Sequence, residues 1–458
     1  MDKSINLPRL LILSFVCILL LLCTTILTKR SAFAFASSGA VQVGATPTLP
    51  SITSTDSQAT SETPSIPTLV AQAQASRTAI LTKIAETETV AAEITPTVTL
   101  TPSATLTPSV TPTSSTQVLT VTKLDDSTVG RCSSDCSLRD AIAAAPYGAT
   151  ISFARGLTGT IVLTNGEIQI TKSMTIKGPG AKSSQITISG NKVFTIFSTK
   201  ALVVLDISGL TFADANANGA ISSVLGILHI TDCTFQNNVG GAVSSDTGYL
   251  VVQRSTFVNT SEGSQAAIQT LRGTATIVDS TFYNNNEDSG AAILNSSGAM
   301  LIVNSTLRDD RLHGGILVLN ILPGKPAPAS TMSATVSAIT PEPGQMVIIN
   351  TILEAGKHMQ VCNGQTVDGG HNLQFPGTSC GSSMPSANAK LAPLQDNGGP
   401  TQTLALLEGS PAIDAGDSIT CAGPLLQNMD QRELPRSVEG TTGKGALCDI
   451  GAFEYNSH

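Results

Sequence analysis

From Asp309 the chain reads Asp309-Asp310-Arg311-Leu312-His313-Gly314-Gly315, which gathers two carboxylates, a guanidinium and an imidazole on one short stretch. Such groups suit acid–base chemistry: cleaving a glycosidic bond takes two carboxylates placed across the bond, and an imidazole can take up or release a proton near neutrality. The stretch follows a strand-like phrase and ends in Gly-Gly. It therefore also reads as a solvated turn, the ordinary place of charged loop residues, and that reading is preferred. Asp214, Asp246, Glu287 and Asp288 fall near turns of successive repeats and could offer oxygen ligands to Ca²⁺. Without a ligand spacing they read as turn formers, so no cofactor or metal is expected. His229, His313, His358 and His371 lack the paired spacing of a metal site, and His229, between Leu228 and Ile230, reads as an outward strand residue. No phosphate-binding glycine loop or nucleophile motif is present.

The elements that must position these groups are written as a repeat. Phrases built from two alternating apolar residues, a polar break and Ser/Thr-Thr-Phe end at Phe212, Phe235, Phe257, Phe282 and Leu307, so the spacings are 23, 22, 25 and 25 residues. A period in this range marks a solenoid. Ile207, Ile230, Val252, Ile277 and Ile302 precede these ends by five residues, and Leu205, Leu228, Leu250, Ala275 and Met300 by seven. Apolar residues two apart form one face of a strand. A polar Asn/Asp/Gly stretch and a small-residue strand such as Gly240-Gly241-Ala242-Val243 complete each period. One such coil cannot bury its apolar side alone; stacked coils can, with equivalent residues in ladders along a common core. The pattern predicts an all-β protein, a right-handed parallel β-helix over 118–375. Leu138, Ala141 and Ile142, at helical spacing, predict a short N-terminal capping helix, and 376–458 is read as a C-terminal cap over the last coil, where open strand edges need cover. A Pro/Ala/Ser/Thr-rich insertion at 321–344 interrupts the solenoid and reads as an excursion from one corner.

Net charge is −8 and charged residues make up 13% of the chain, which gives no basic footprint for nucleic acid. Residues 1–36 carry Lys3 and Arg9, an apolar run from Leu10 to Leu27, then Lys29-Arg30 and Ala34-Phe35-Ala36. They are read as an export segment, either a cleaved signal peptide or a retained membrane anchor. Either outcome places the folded part outside the cytoplasm, with the membrane touched only through this segment. Residues 37–117 are rich in Thr, Ser and Pro and too poor in apolar surface for a core, so they read as a disordered stalk. Cys17 and Cys23 belong to the export segment. In an oxidising compartment the other seven make three bridges and one leftover. Proximity suggests Cys132 with Cys136, Cys362 with Cys380 and Cys421 with Cys448, although sequence does not fix connectivity. Cys233 shares a ladder position with Leu210, Ser255, Ser280 and Ser305 and reads as a small buried residue.

Cys136-Ser137-Leu138-Arg139-Asp140-Ala141-Ile142 resembles the CSLREA motif that opens many exported bacterial β-helix proteins, with Asp140 where Glu is usual. Several C-terminal blocks resemble the choice-of-anchor Q type of bacterial surface protein. They are Gly370 to Leu373, Leu394 to Thr403, Gly409 to Gly416, Asp430-Gln431-Arg432 and Cys448 to Glu454. The repeats are similar to polymorphic outer-membrane repeats, in F-x-x-N at Phe235 to Asn238 and Phe282 to Asn285 and in GGA[IV] at Gly240 to Val243. No alternating aromatic-rich strands follow, so a self-transporting barrel is not expected. The resemblances imply a surface β-helix without an assigned reaction. β-Helices also host pectate lyases and polygalacturonases; in the latter the paired Asp and the His-Gly lie on separate coils, whereas Asp309, Asp310, Arg311 and His313 share one turn. With no Trp, four Tyr and Phe residues on the core ladder, an aromatic sugar platform is not expected. The sequence thus points to a surface-displayed, non-catalytic β-helix that meets an extracellular glycan or cell-surface component. The alternative is a polysaccharide lyase or glycoside hydrolase acting on an acidic glycan.

Overall fold

Alternating inward and outward side chains, repeated coil after coil, close into three parallel sheets in this computed structural model. It describes residues 117–129, 131–179, 186–216, 218–260, 266–285, 291–309, 316–321, 341–356, 360–436, 440 and 445–456. The sheets have ten, nine and eight strands and are called A, B and C; a separate two-stranded hairpin completes the set. One coil runs from sheet A (Val204–Ser208) to sheet B (Thr211–Ala213) to sheet C (Ile221–Val224) and returns to sheet A at Ile227–Thr231. Pairing between successive coils is parallel and in step, for example Leu205 with Leu228 and Ile207 with Ile230. The fold is the predicted right-handed parallel β-helix, the hand that twisted strands impose on parallel crossovers.

Each corner has its own ladder. Phe212, Phe235, Phe257 and Phe282 stack inside sheet B with ring centroids 5.0, 4.9 and 4.6 Å apart, and all are fully buried. At the A-to-B corner the backbone N–H of Cys233, Ser255, Ser280 and Ser305 each donates to the side-chain oxygen of Ser255, Ser280, Ser305 and Thr351 in the next coil. These hydroxyls satisfy backbone donors that the turn would otherwise orphan. Cys233 sits on this ladder as a free, buried cysteine, and burial pushes its thiol up to about 12. The Asn of F-x-x-N works at the B-to-C corner: Asn285 accepts from Thr260 N and donates to Phe257 O. At the C-to-A corner Gly248 and Gly273 stack, and a Cβ on Gly273 would lie 2.5 Å from Gly248 O.

Both ends are closed. The predicted N-terminal helix forms at Leu138–Ala144, with Ser137 accepting from Asp140 N at its start, and it buries Leu138, Ala141 and Ile142 in the main core. Arg139 braces it by a two-point pair with Asp126 at 2.7 and 3.0 Å. At the other end Cys380 and Met384 enter the same core, and Gln374 bonds Cys380 N and Met384 O. The rest of the C-terminal region is more than an end cap. From Ala389 onward it runs back along the side of the solenoid, so that Thr401 donates to Arg254 O, Thr256 to Gln402 O and Gln253 to Leu425 O. The anchor-like blocks therefore lie on the outward threonines of sheet B: Gln431 joins Thr256 and Thr281, and Ala452 N donates to Thr306. Cys132–Cys136, Cys362–Cys380 and Cys421–Cys448 are all bridged, which fits an oxidising, extracytoplasmic compartment. No helix among the described residues is long and apolar enough to cross a membrane. The apolar run, the stalk and most of the 321–344 insertion lie outside the described residues.

An ion cluster locks this lateral segment. Asp279, at a corner position outward from its coil, is covered by the segment and takes Arg436 at 2.7 Å, with both side chains buried. Asp430, Asp449 and Glu454 crowd the same place, and Arg432 holds Asp430 at 2.6 Å. Carboxylates outnumber cations here, and burial pushes Asp279 up to about 7 against the pull of Arg436. Asp449 is also pushed up to about 7, by burial first and by Glu454 second. Raised carboxyls mean that the folded state binds more protons than the unfolded one, so their contribution is fully present below about pH 4 and is lost as pH rises to about 7. The melting temperature should fall between pH 5 and pH 8; an Asp279→Asn chain should show a flatter profile, and an unchanged slope would refute the assignment.

Candidate functional site

The outward face of sheet A changes character along the solenoid. Its central column runs Thr175, Asp206, His229, Val251, Thr276, Leu301 and Val347. The column beside it, toward sheet B, passes from Lys177, Ser208, Thr231 and Gln253 to Val278, Val303 and Ile349. The apolar half is covered: Val278, Leu301, Val303, Val347 and Ile349 form a buried cluster with Leu426 of the lateral segment. The polar half, before Gln253, lies open. One face is thus split into a docking strip for the chain's own C-terminal region and a partly exposed polar strip.

At the centre of the open half, His229 Nδ1 lies 2.6 Å from Asp206 Oδ1, and Asp206 Oδ2 is 3.5 Å from Thr175 Oγ1. The register makes this contact: Asp206 and His229 are direct partners on adjacent strands and alternate with Leu205 and Leu228, which are buried. A carboxylate only accepts, so Nδ1 carries the proton and a neutral ring keeps Nε2 as an acceptor. The imidazole is 39% exposed, which leaves its edge open to solvent. Tyr249 follows Ile227 on the next strand, diagonal to His229, and is 57% exposed.

Beside Tyr249 the C-to-A corner forms an apolar lip. Leu202 and Leu225 stand on successive coils, are exposed, and hold φ of 65° and 55°, in the left-handed region. Equivalent positions farther along hold Thr247, Arg272 and Ser297. A leucine there costs about 1 kcal/mol more than Gly or Asn would, and at Leu202, 72% exposed, little burial offsets it. Leu202→Asn should therefore raise stability by about 1 kcal/mol in urea unfolding; a loss of stability would show that the lip serves the fold.

Of the candidate acids, which the sequence reads first as turn residues, Asp309 ends the strand Thr306–Asp309 opposite Ala355 and is buried rather than solvated. Asp310, Arg311 and His313 lie outside the described residues, as do Glu287 and Asp288. Asp246 pairs with Arg272 at 2.8 Å, and its carboxyl is held low first by the Thr247 hydroxyl and then by Arg272. Asp214 occupies a left-handed turn position. No group of three metal-binding side chains occurs among the described residues. Sequence reading placed His229 correctly on the outside, but it missed Asp206. The signal was there: aligning the phrases on Phe212 and Phe235 puts Asp206 and His229 at the same offset.

Neither a family model nor a curated protein matches this chain. Among solved structures it is similar to the pectate lyase Pel9A, at 13% identity and a TM-score of 0.38, over 75% of this chain and 98% of that one. It is also similar to the PL6 family alginate lyase AlyGC, at 10% identity and a TM-score of 0.20, over 74% of this chain and 60% of that one. The parallel strand ladders themselves define the fold.

Proposed function

We propose that the protein is an exported, surface-displayed, non-catalytic β-helix that holds an extracellular glycan against the open half of sheet A. The observation that carries this reading is the division of that sheet: the chain covers its apolar strip with its own C-terminal segment and leaves a strip of Thr, Ser, Asp and His partly exposed beside it. Hydroxyl, carboxylate and imidazole groups on rigid strands make hydrogen bonds of fixed direction, which is what a polyhydroxylated ligand requires. The N-terminal apolar run and the Thr/Ser/Pro-rich stretch would carry the platform to the cell surface. The test is a glycan and whole-cell binding screen with the full chain; binding that falls on Thr231→Arg in the open strip supports the reading, and a blank screen overturns it.

A second reading, a lyase or hydrolase for acidic glycans, is favoured by one observation, the oriented Asp206–His229 pair. Hydrolysis by paired acids needs a second carboxylate across the bond, and Asp206 is the one carboxylate facing outward on the open half among the described residues. Incubation with acidic polysaccharides, with and without Ca²⁺, separates the two readings. Product release abolished by Asp206→Ala or Asp310→Ala would establish the enzyme.

A further inference from the structure

We infer that the solenoid binds a file of water inside its core, one molecule between Ser245 and Thr270 and the next between Thr270 and Asn295. Sheet C carries an inward apolar column of Ile221, Val243, Ile268 and Ile293, and two residues further along the same strands stand Ser223, Ser245, Thr270 and Asn295, in register and continued by Asn320. The same strands that bury hydrocarbon therefore bury oxygen beside the C-to-A corner. At its ends this polar ladder closes on itself: Thr199 donates to Ser223 Oγ at 3.0 Å, and Asn295 Nδ2 donates to Asn320 Oδ1 at 2.9 Å. In the middle, Ser245 Oγ, Thr270 Oγ1 and Asn295 Oδ1 make no hydrogen bond within the protein, and their residues are at most 1% exposed. Orphaned buried polar atoms are rare in folded proteins. Three on successive rungs point to a shared partner.

The spacing and the chemistry say what that partner is. Successive rungs stand roughly 4.8 Å apart, and a molecule about 2.8 Å from both neighbours fits such a gap. Ser245 and Thr270 each bring one donor and free lone pairs, whereas Asn295 Oδ1 only accepts, so the bridging molecule must both donate and accept. A cation would find no carboxylate on these rungs, and an apolar guest would leave every oxygen unmatched. Water completes the run: Ser245 donates to the first molecule, which donates to Thr270, and Thr270 donates to the second, which donates to Asn295 Oδ1. Each water keeps one proton for a corner carbonyl. Asn295 Nδ2 already reaches Gly298 O, three residues on, at 2.8 Å, and Gly248 O and Gly273 O hold the equivalent places, each taking one strand N–H at 2.9 Å. Each water then has about three partners, the usual number for a buried one. The file ties the core to the corner from which the strands Tyr249–Gln253 and Thr274–Val278 start.

Oxygen-17 magnetic relaxation dispersion on the full chain counts waters held long enough to tumble with the protein. Thr270→Val keeps the side-chain shape and removes the shared rung, so it should lose about two such waters, and Ser245→Ala about one. Thr276→Val, on the outward face of sheet A, should lose none. Equal dispersion for the wild type and both inward variants overturns the inference. Should Thr270→Val fail to fold, Ser245→Ala decides alone: a loss of about one water upholds the file, and an unchanged count overturns it.

Discussion

An Arg436→Met chain should lose about 3–5 kcal/mol of stability at neutral pH, the usual penalty for stripping one partner from a buried ion pair. The guanidinium is fully buried and has no water to replace what it holds. It donates to Asp279 at 2.7 Å, to Gly451 O at 2.8 Å and to Met429 O at 3.0 Å, and lies 3.6 Å from Glu454. Methionine fills much of the volume and satisfies none of these acceptors, so Asp279 would be left buried beside Asp430 without its cation, and Gly451 O and Met429 O would lose their donor. The damage should be local at first, since the lateral segment is pinned to the solenoid at this point while the coils have their own core. Hydrogen exchange should therefore speed up over 389–456 before it changes in sheet C. Adding Asp279→Asn to Arg436→Met should restore part of the loss, because the worst uncompensated charge is then gone. A single-variant loss below about 1 kcal/mol would mean that the segment is held by its apolar contacts alone.

The coil was legible because a β-helix writes its core with fixed spacing: Phe212, Phe235 and Phe257 share one register position and one environment, so local pattern and tertiary contact coincide. The capping helix was legible for a similar reason, since Leu138, Ala141 and Ile142 lie at helical spacing and all three pack into the main core. What joins distant segments left no periodic trace. Arg436 and Asp279 are 157 residues apart, and nothing near either one announces the other. Asp279 stands at an outward corner of its coil, but the lateral segment turns that outside into an interior. The same logic explains Asp206: a single Asp in a strand carries no message until the register sets His229 beside it. Tyr249 escaped because composition counted few aromatics, and a count does not say where one stands.

The Phe ladder allows the sharpest test of the core, and the sequence contains its own control. Phe257→Ala should cost about 3–5 kcal/mol, the range for emptying a buried aromatic site that cannot collapse. Phe257 stacks on both sides, on Phe235 at 4.9 Å and Phe282 at 4.6 Å, and each ring contact adds about 0.5–1.5 kcal/mol beyond area. The rungs above and below are pinned by parallel pairing of Thr256 and Phe257 with both neighbouring coils, so the backbone cannot close the gap. Phe257→Leu should cost far less, about 1–2 kcal/mol, because Leu307 already fills the next rung after Phe282, fully buried and in register. Phe197→Ala should fall below Phe257→Ala, since Phe197 meets Phe212 edge-on at 5.6 Å, outside the stacked run. Urea unfolding of the three variants gives the order. If Phe257→Leu proved as costly as Phe257→Ala, stacking rather than volume would hold the ladder together, and the Leu307 rung would then mark the point where the solenoid is weakest.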